Sequence, residues 1–356
     1  MHSQSRSLFR SHLAAITGFL VVAAAAVLPA CVSPADSDGA PGSGPAVTNT
    51  ASASDALSAA DAAAPDSEFM ITPIGRIHQS CIHAVGEGAA VDATEQVTLR
   101  SGSTARFAPC QYQVRDDRRK KAAAPAAGAQ AKGPVPVADG WAEYDSAFTF
   151  TNAFGFDWIN KLDGWWRVPL APRQSAGQTV FLFTAAEPVS GNAIIQPVLQ
   201  YGPSAAGGGN FWAEAVWYIS SAGNVFHSSL VRVNVGDTIE GYMTATNCSA
   251  SGACTWQLQA QDGLNLGSSM TVFASESFRW AVKGALEVYR ISNCNKLPTE
   301  GDTGATFFNV HVYMPGPSTF NFNEVTPSLG WAGTTAASGC SFGVIDTSDG
   351  VQLFWN

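Results

Sequence analysis

Residues 192–202 read NAIIQPVLQYG, an apolar run interrupted by two glutamines, Gln196 and Gln200. Strand side chains alternate between faces, so residues four apart share a face. A repeated amide on one side of such a run marks that side as special. A second stretch, residues 284–294 (GALEVYRISNC), sets Glu287 between Leu286 and Val288 in another strand-like run. If the two strands share a sheet, Gln200 and Glu287 can meet over one cleft. Pro197 inside the first run predicts an edge strand or a bulge, because proline donates nothing to a ladder.

Working outward, 179–184 (TVFLFT), 213–219, 230–235, 238–246, 255–261, 285–291 and 306–314 are rich in β-branched and aromatic residues. Gly, Asn, Ser and Asp punctuate them. Residues 255–261 alternate Trp256, Leu258 and Ala260 with three glutamines, and Val231, Val233 and Val235 are expected to face inward. No stretch shows a capped 3.6-residue period. The expected fold is all-β, an antiparallel jelly-roll or concanavalin-like β-sandwich over residues 141–356.

The amino terminus has the pattern of an export signal over residues 1–30. Arg6 and Arg10 precede an apolar run from Leu13 to Val27 that ends in Leu-Pro-Ala-Cys. That run is short for a spanning helix, which needs about 20 apolar residues. The ending resembles a bacterial lipobox, in which Cys31 is lipidated and anchors the protein to a membrane. The alternative is plain cleavage after Ala30. Either way the protein is exported, to a bacterial cell envelope or the extracellular space. Residues 31–67 are a low-complexity tether of Ala, Ser, Gly, Pro and Asp, with a coil span of roughly 30–35 Å.

Setting Cys31 aside leaves 6 of the 7 cysteines, an even number suited to an oxidising compartment. Residues 68–115 form a small segment with Cys81 and Cys110 as its only cysteines, which predicts a bridge. A zinc site using His78, Cys81, His83 and Cys110 is the competing reading. Cys248 with Cys254 suits a local hairpin clip, and Cys294 with Cys340 remain. Residues 116–140 begin DDRRKK and continue as an Ala/Pro-rich linker, either a solvated charge run or a processing site.

Residues 68–140 hold 9 Lys and Arg against 7 Asp and Glu, whereas residues 141–356 hold 8 against 16. So acidic a domain excludes nucleic acid as a partner. No motif calls for a cofactor. Gly207-Gly208-Gly209 precedes no helix, so it does not read as a phosphate cradle. Gly236-Asp237 reads as a turn, and His227 has no catalytic partner at useful spacing.

One carboxyl and one amide can hydrolyse peptides at acid pH. The carboxylate deprotonates the attacking water, and the amide donates to the oxyanion. Here a family resemblance enters. VLQYG at 198–202 resembles the glutamine motif of the eqolisin glutamic peptidases, and LEVY at 286–289 sits where their catalytic glutamate stands. WRVP (166–169) and WAEAVWY (212–218) resemble their neighbouring strands, with Val216 in place of a second acidic residue. The resemblance spans about 125 residues and implies paired bent antiparallel sheets with a Gln200/Glu287 dyad acting on polypeptide. Trp212, Trp217, Tyr218 and Tyr289 are the expected substrate-binding residues. The LQYG, GGG, WY and GD pattern also resembles a group of uncharacterised secreted proteins. Two alternatives stand beside the peptidase. One is a non-catalytic sandwich binding carbohydrate or another cell-surface polymer; the other is a glycosidase pairing Glu287 with Glu214 or Glu240.

Overall fold

The computed structural model describes residues 64–115, 138–263, 267–299, 304–316, 328–337 and 339–355. The export signal, Cys31, the tether as far as residue 63 and linker residues 116–137 lie outside the described residues. The amino-terminal segment forms a hairpin of β1 (Phe69–Thr72) and β2 (Gly75–His78). Four short strands follow: β3 (Ile82–Ala84), β4 (Ala89–Val91), β5 (Gln96–Thr98) and β6 (Thr104–Arg106). The body begins with β7 (Ala138–Phe148), β8 (Lys161–Arg167), β9 (Thr179–Pro188), β10 (Ile194–Ser204) and β11 (Gly207–Ile219). Next come β12 (Val225–His227), β13 (Val231–Arg232), β14 (Thr238–Thr246), β15 (Cys254–Asp262), β16 (Ser268–Ala274) and β17 (Phe278–Ile291). The chain closes with β18 (Ala305–Tyr313), β19 (Ala332–Thr335), β20 (Gly343–Thr347) and β21 (Gly350–Phe354).

These strands form a β-sandwich. The first sheet runs β19-β7-β17-β9-β10-β11-β12-β3, with β13 also on β11; the second runs β20-β21-β18-β8-β14-β15-β16-β4-β5-β6. Pairings are antiparallel except β12–β3 and β16–β4, which are parallel. Both exceptions come from the amino-terminal segment, which adds β3 to an edge of the first sheet and β4, β5 and β6 to an edge of the second. Such coverage protects edges that would otherwise template further pairing.

The two sheets are covered differently, and their sequences record it. In β14 inward Ile239, Gly241, Met243 and Ala245 alternate with half-buried outward residues. In β15, Trp256, Leu258 and Ala260 do the same as expected. Every residue of β9 is buried. β9 is apolar on both faces because one packs on the second sheet and the other lies beneath the amino-terminal segment. Two apolar clusters result. One, holding Trp166, Leu182, Leu199, Trp256 and Met270, fills the space between the sheets. The other, holding Ile71, Ile74, Phe181, Phe183, Trp217 and Tyr289, lies on the outer side of the first sheet. Burying one such large apolar side chain is worth about 1.5–3 kcal/mol.

Pro197 departs from expectation. It is no edge residue: β10 lies between β9 and β11, in central position. The β10–β9 ladder pairs Ile195 with Ala186 and resumes at Val198 with Phe183, so the proline sits in a gap of the ladder without a register shift. The irregularity in β10 falls instead at Tyr201/Gly202. On the inner side Pro197 and Trp166 press against Gly241, where an added Cβ would come within 2.7 Å of each. Val235 is also a correction. It is exposed because the chain has left β13 and enters the turn in which Gly236 N–H donates to Val168 O.

All three expected disulfides are present: Cys81–Cys110, Cys248–Cys254 and Cys294–Cys340. The first removes both thiolates that the zinc reading required. His78 instead pairs with Glu68, and His83 bonds Asn224 and stacks on Phe107. Three bridges are compatible with an oxidising, exported setting.

Candidate active site

Glu287 on β17 and Gln200 on β10 both pair with Phe181, on the strand between them. Directly opposed residues of antiparallel strands share a face. The three side chains therefore stand in one row on the outer face of the first sheet. Trp141 extends the row beyond Glu287, and Ala213 extends it beyond Gln200. Two strand spacings separate the glutamine and glutamate backbones, about 9.5 Å. β17 carries register shifts at Val282/Ala285 against β9 and at Leu286/Glu287 against β7. Bulges of this kind re-aim side chains and are frequent beside functional sites.

Both groups are removed from solvent, with Gln200 1% and Glu287 0% exposed. The Gln200 amide donates to Gly202 O at 2.7 Å and Gly207 O at 2.9 Å, while its oxygen accepts from Ser204 Oγ at 2.8 Å. It thereby braces the tight β10–β11 connection. Gly208 is required there. Its φ is +103°, and a Cβ would lie 2.4 Å from Gln200 Nε2. Glu287 Oε1 accepts from the Tyr289 hydroxyl.

The cover over this row is the β1–β2 hairpin. Ile71, Ile74 and Ile77 join the apolar cluster of Phe181, Val198 and Tyr289. Gln196 Nε2 donates to Pro73 O at 3.2 Å, and Ala205 N–H to Ile71 O at 2.8 Å. The Arg76 guanidinium lies 5.9 Å from the centre of the Tyr289 ring and pairs with Asp139 at 3.4 Å. Arg76 and Arg115 exchange two backbone hydrogen bonds, 2.7 and 2.9 Å, which pin the hairpin against the last described residue before the linker.

The four aromatic residues expected to bind substrate divide between the two faces. Trp217, opposite Gln196, and Tyr289 share the face of Gln200 and Glu287. Trp212 and Tyr218 point the other way, between the sheets. Trp212 packs edge-on against Tyr201, and Tyr218 donates to Phe273 O. They are core residues. The glycosidase pairing also fails on placement. Glu214 lies opposite Leu199 on the inner face, and Glu240 belongs to the outer face of the second sheet, opposite Gln261. The three carboxyls occupy three different surfaces.

Sequence reading missed a polar cluster at the other end of the first sheet. Lys283, almost fully buried, pairs with Asp346 and lies 3.8 Å from the buried Asp145. Burial, the neighbouring Asp346 and an opposing pull from Lys283 leave Asp145 raised to about 7; burial raises nearby Glu143 to about 9. The available signal was two acids, Glu143 and Asp145, in the otherwise strand-like GWAEYDSAF of residues 140–148.

No family model matches the chain, and no curated protein does. Among solved structures, scytalido-glutamic peptidase bound to a peptide-based transition-state analogue aligns at 12% identity and TM-score 0.36. It covers 61% of this chain and 98% of that one. SCP-B, described as a member of the eqolisin family of peptidases and bound to the tripeptide Ala-Ile-His, aligns at 13% identity and TM-score 0.36 with the same coverage. The CBM2 module of a Lactobacillus casei BL23 phage J-1 evolved Dit aligns at 12% identity and TM-score 0.23, covering 41% of this chain and 68% of that one. Likeness at this level assigns neither activity nor ligand.

Proposed function

We propose that the chain is an exported, acid-acting glutamic-type endopeptidase held in a covered state, with Gln200 and Glu287 as its dyad. The observation that supports this is the shared row: two residues eighty-seven positions apart face the same side of one sheet, beneath a hairpin from a separate segment. In the working state Glu287 takes a proton from the water attacking the scissile carbonyl and returns it to the leaving nitrogen. The Gln200 amide donates to the developing oxyanion, a contact whose loss costs about 10²–10³ in rate where it has been removed elsewhere.

The covered arrangement accounts for burial on both sides of the row. With the hairpin seated, Phe181 lies between the pair, and the Gln200 amide is committed to Gly202 and Gly207. Activity therefore requires the hairpin to withdraw and Gln200 to release one of those carbonyls. Once residues 116–137 are cut, the segment is held to the body without a covalent link, by the hairpin and by the pairing of β3 with β12 and β4 with β16. Its disulfide, Cys81–Cys110, closes within itself, and neither of the other two bridges reaches it. Tether and lipid anchor at Cys31 belong to this proposal as the means of holding the uncut, covered protein at an envelope; cutting the linker parts the active body from them. The test is peptide digestion near the ordinary glutamate pKa, about pH 4, comparing the native chain with Glu287→Gln and Gln200→Ala after the linker is cut. Loss of cleavage in both variants supports the dyad; equal rates in all three reject it.

A further inference from the structure

The outer face of the second sheet carries a groove of about 520 Å³, a size that suits a small-molecule or sugar-unit site. It is lined by Tyr242, Thr244, Gln257, Gln259, Gln261 and Thr271, with Ser269 at its far rim. The register builds it in rows: Tyr242 opposes Gln259, which opposes Ser269, and Thr244 opposes Gln257, which opposes Thr271. This face is unrelated to the row of Gln200 and Glu287, which belongs to the other sheet.

Its side chains are held in place. Gln259 Nε2 donates to Gln261 Oε1 at 2.7 Å, and Gln261 Nε2 donates to Glu240 Oε2 at 2.7 Å, so a carboxylate sets the direction of both amides. The Tyr242 ring packs edge-on to Trp165 at 6.3 Å. Ser269 is fixed by Glu87. A merely solvated sheet face carries extended charged side chains in water. Here Tyr242, Thr244, Gln259, Gln261 and Thr271 are all half-buried, and only Gln257 is exposed.

The chemistry selects the occupant. Three amides and four hydroxyls supply paired donors and acceptors without net charge, and the Tyr242 ring supplies a flat apolar platform. Phosphate-bearing polymers are excluded by Glu240 at the rim and by the acidic domain around it. An amphipathic helix needs an apolar trough. Strand addition needs a free edge, and β14, β15 and β16 each have neighbours on both sides. We infer that this groove binds a neutral polysaccharide, through hydroxyl contacts to the glutamines and threonines and stacking on Tyr242.

The test is retention of the intact protein on insoluble cellulose, chitin, xylan and starch, followed by titration with soluble oligosaccharides of whichever polymer retains it. The expected result is retention on at least one polymer that persists in high salt. Tyr242→Ala and Gln259→Ala should each weaken binding by about tenfold or more, near 1.4 kcal/mol. Thr98→Ala, at an exposed position on β5, should leave it unchanged. Gln259→Ala keeps the test decisive if Tyr242→Ala fails to fold. Absence of retention on all four polymers overturns the inference. So does retention abolished by salt, or binding unchanged in both groove variants.

Discussion

Gln200 and Glu287 lie opposite the same residue, Phe181, from the two strands that flank it. That relationship gives the pair a common face and a separation of two strand spacings, about 9.5 Å of backbone. It also ties their fate to whatever covers Phe181, which is the hairpin of β1 and β2.

Ile74, fully buried at the turn of that hairpin, is its main apolar anchor. Replacement by alanine removes buried methyl groups and leaves a cavity, a change that costs about 2–5 kcal/mol at fully packed sites. Ile74→Ala should lower the urea midpoint and speed hydrogen exchange in residues 69–78 before it does so in β14 and β15. Uniform exchange across the molecule would show that the hairpin is not a separable cover.

Gln200→Ala should cost stability as well as any activity. Ser204 Oγ and the Gly202 and Gly207 carbonyls lose their buried partner, and each unsatisfied buried group costs about 1–3 kcal/mol. Thermal unfolding should show a clear fall in Tm. Gln200→Glu should fall at least as far, since a carboxylate offers two acceptors to carbonyls that need a donor.

Stability should decline from acid toward alkaline pH. Burial raises Glu143 to about 9; Glu214 is raised to about 8 by burial and by Asp262, Glu87 and Asp237 nearby. A carboxyl whose folded pKa exceeds its unfolded value binds more protons when folded. Its contribution is therefore complete below the ordinary value of 4.5 and is lost as pH rises toward 8–9. Tm should be higher at pH 5 than at pH 8, and Glu214→Gln should narrow that gap. A protein more stable at pH 8 would contradict this assignment.

Cutting the chain between residues 116 and 137 should yield two pieces on a non-reducing denaturing gel. Cys81 and Cys110 bridge within one piece, and Cys248–Cys254 and Cys294–Cys340 within the other. A single band that separates only on reduction would mean a bridge crosses the cut.

Much of the sandwich was legible because a strand covered on one face alternates, as β14 and β15 do. Residues 179–184 and 192–202 were legible as strands for the opposite reason: continuous apolar runs with β-branched and aromatic residues. Such runs announce burial on both faces without saying what supplies the second cover. Here it comes from Ile71, Ile74 and Ile77, more than a hundred positions away from Phe181, with no local pattern to connect them. The same non-locality hid the facing of Trp212 and Tyr218, whose side depends on register with β10. Pro197 misled because a local rule about ladders cannot see a gap in the β9 pairing. The groove on the second sheet was invisible for a related reason: Tyr242, Gln259 and Ser269 become neighbours only through three strands in register.

The most direct measurement is the rate of peptide cleavage near pH 4 by the chain cut between residues 116 and 137 and freed of its amino-terminal piece, beside the uncut chain and the cut Glu287→Gln variant. The account predicts cleavage by the cut native chain alone. Cleavage by the uncut chain at the same rate, or by the cut variant, or by none of the three, would contradict a Gln200/Glu287 dyad lying in wait beneath the hairpin.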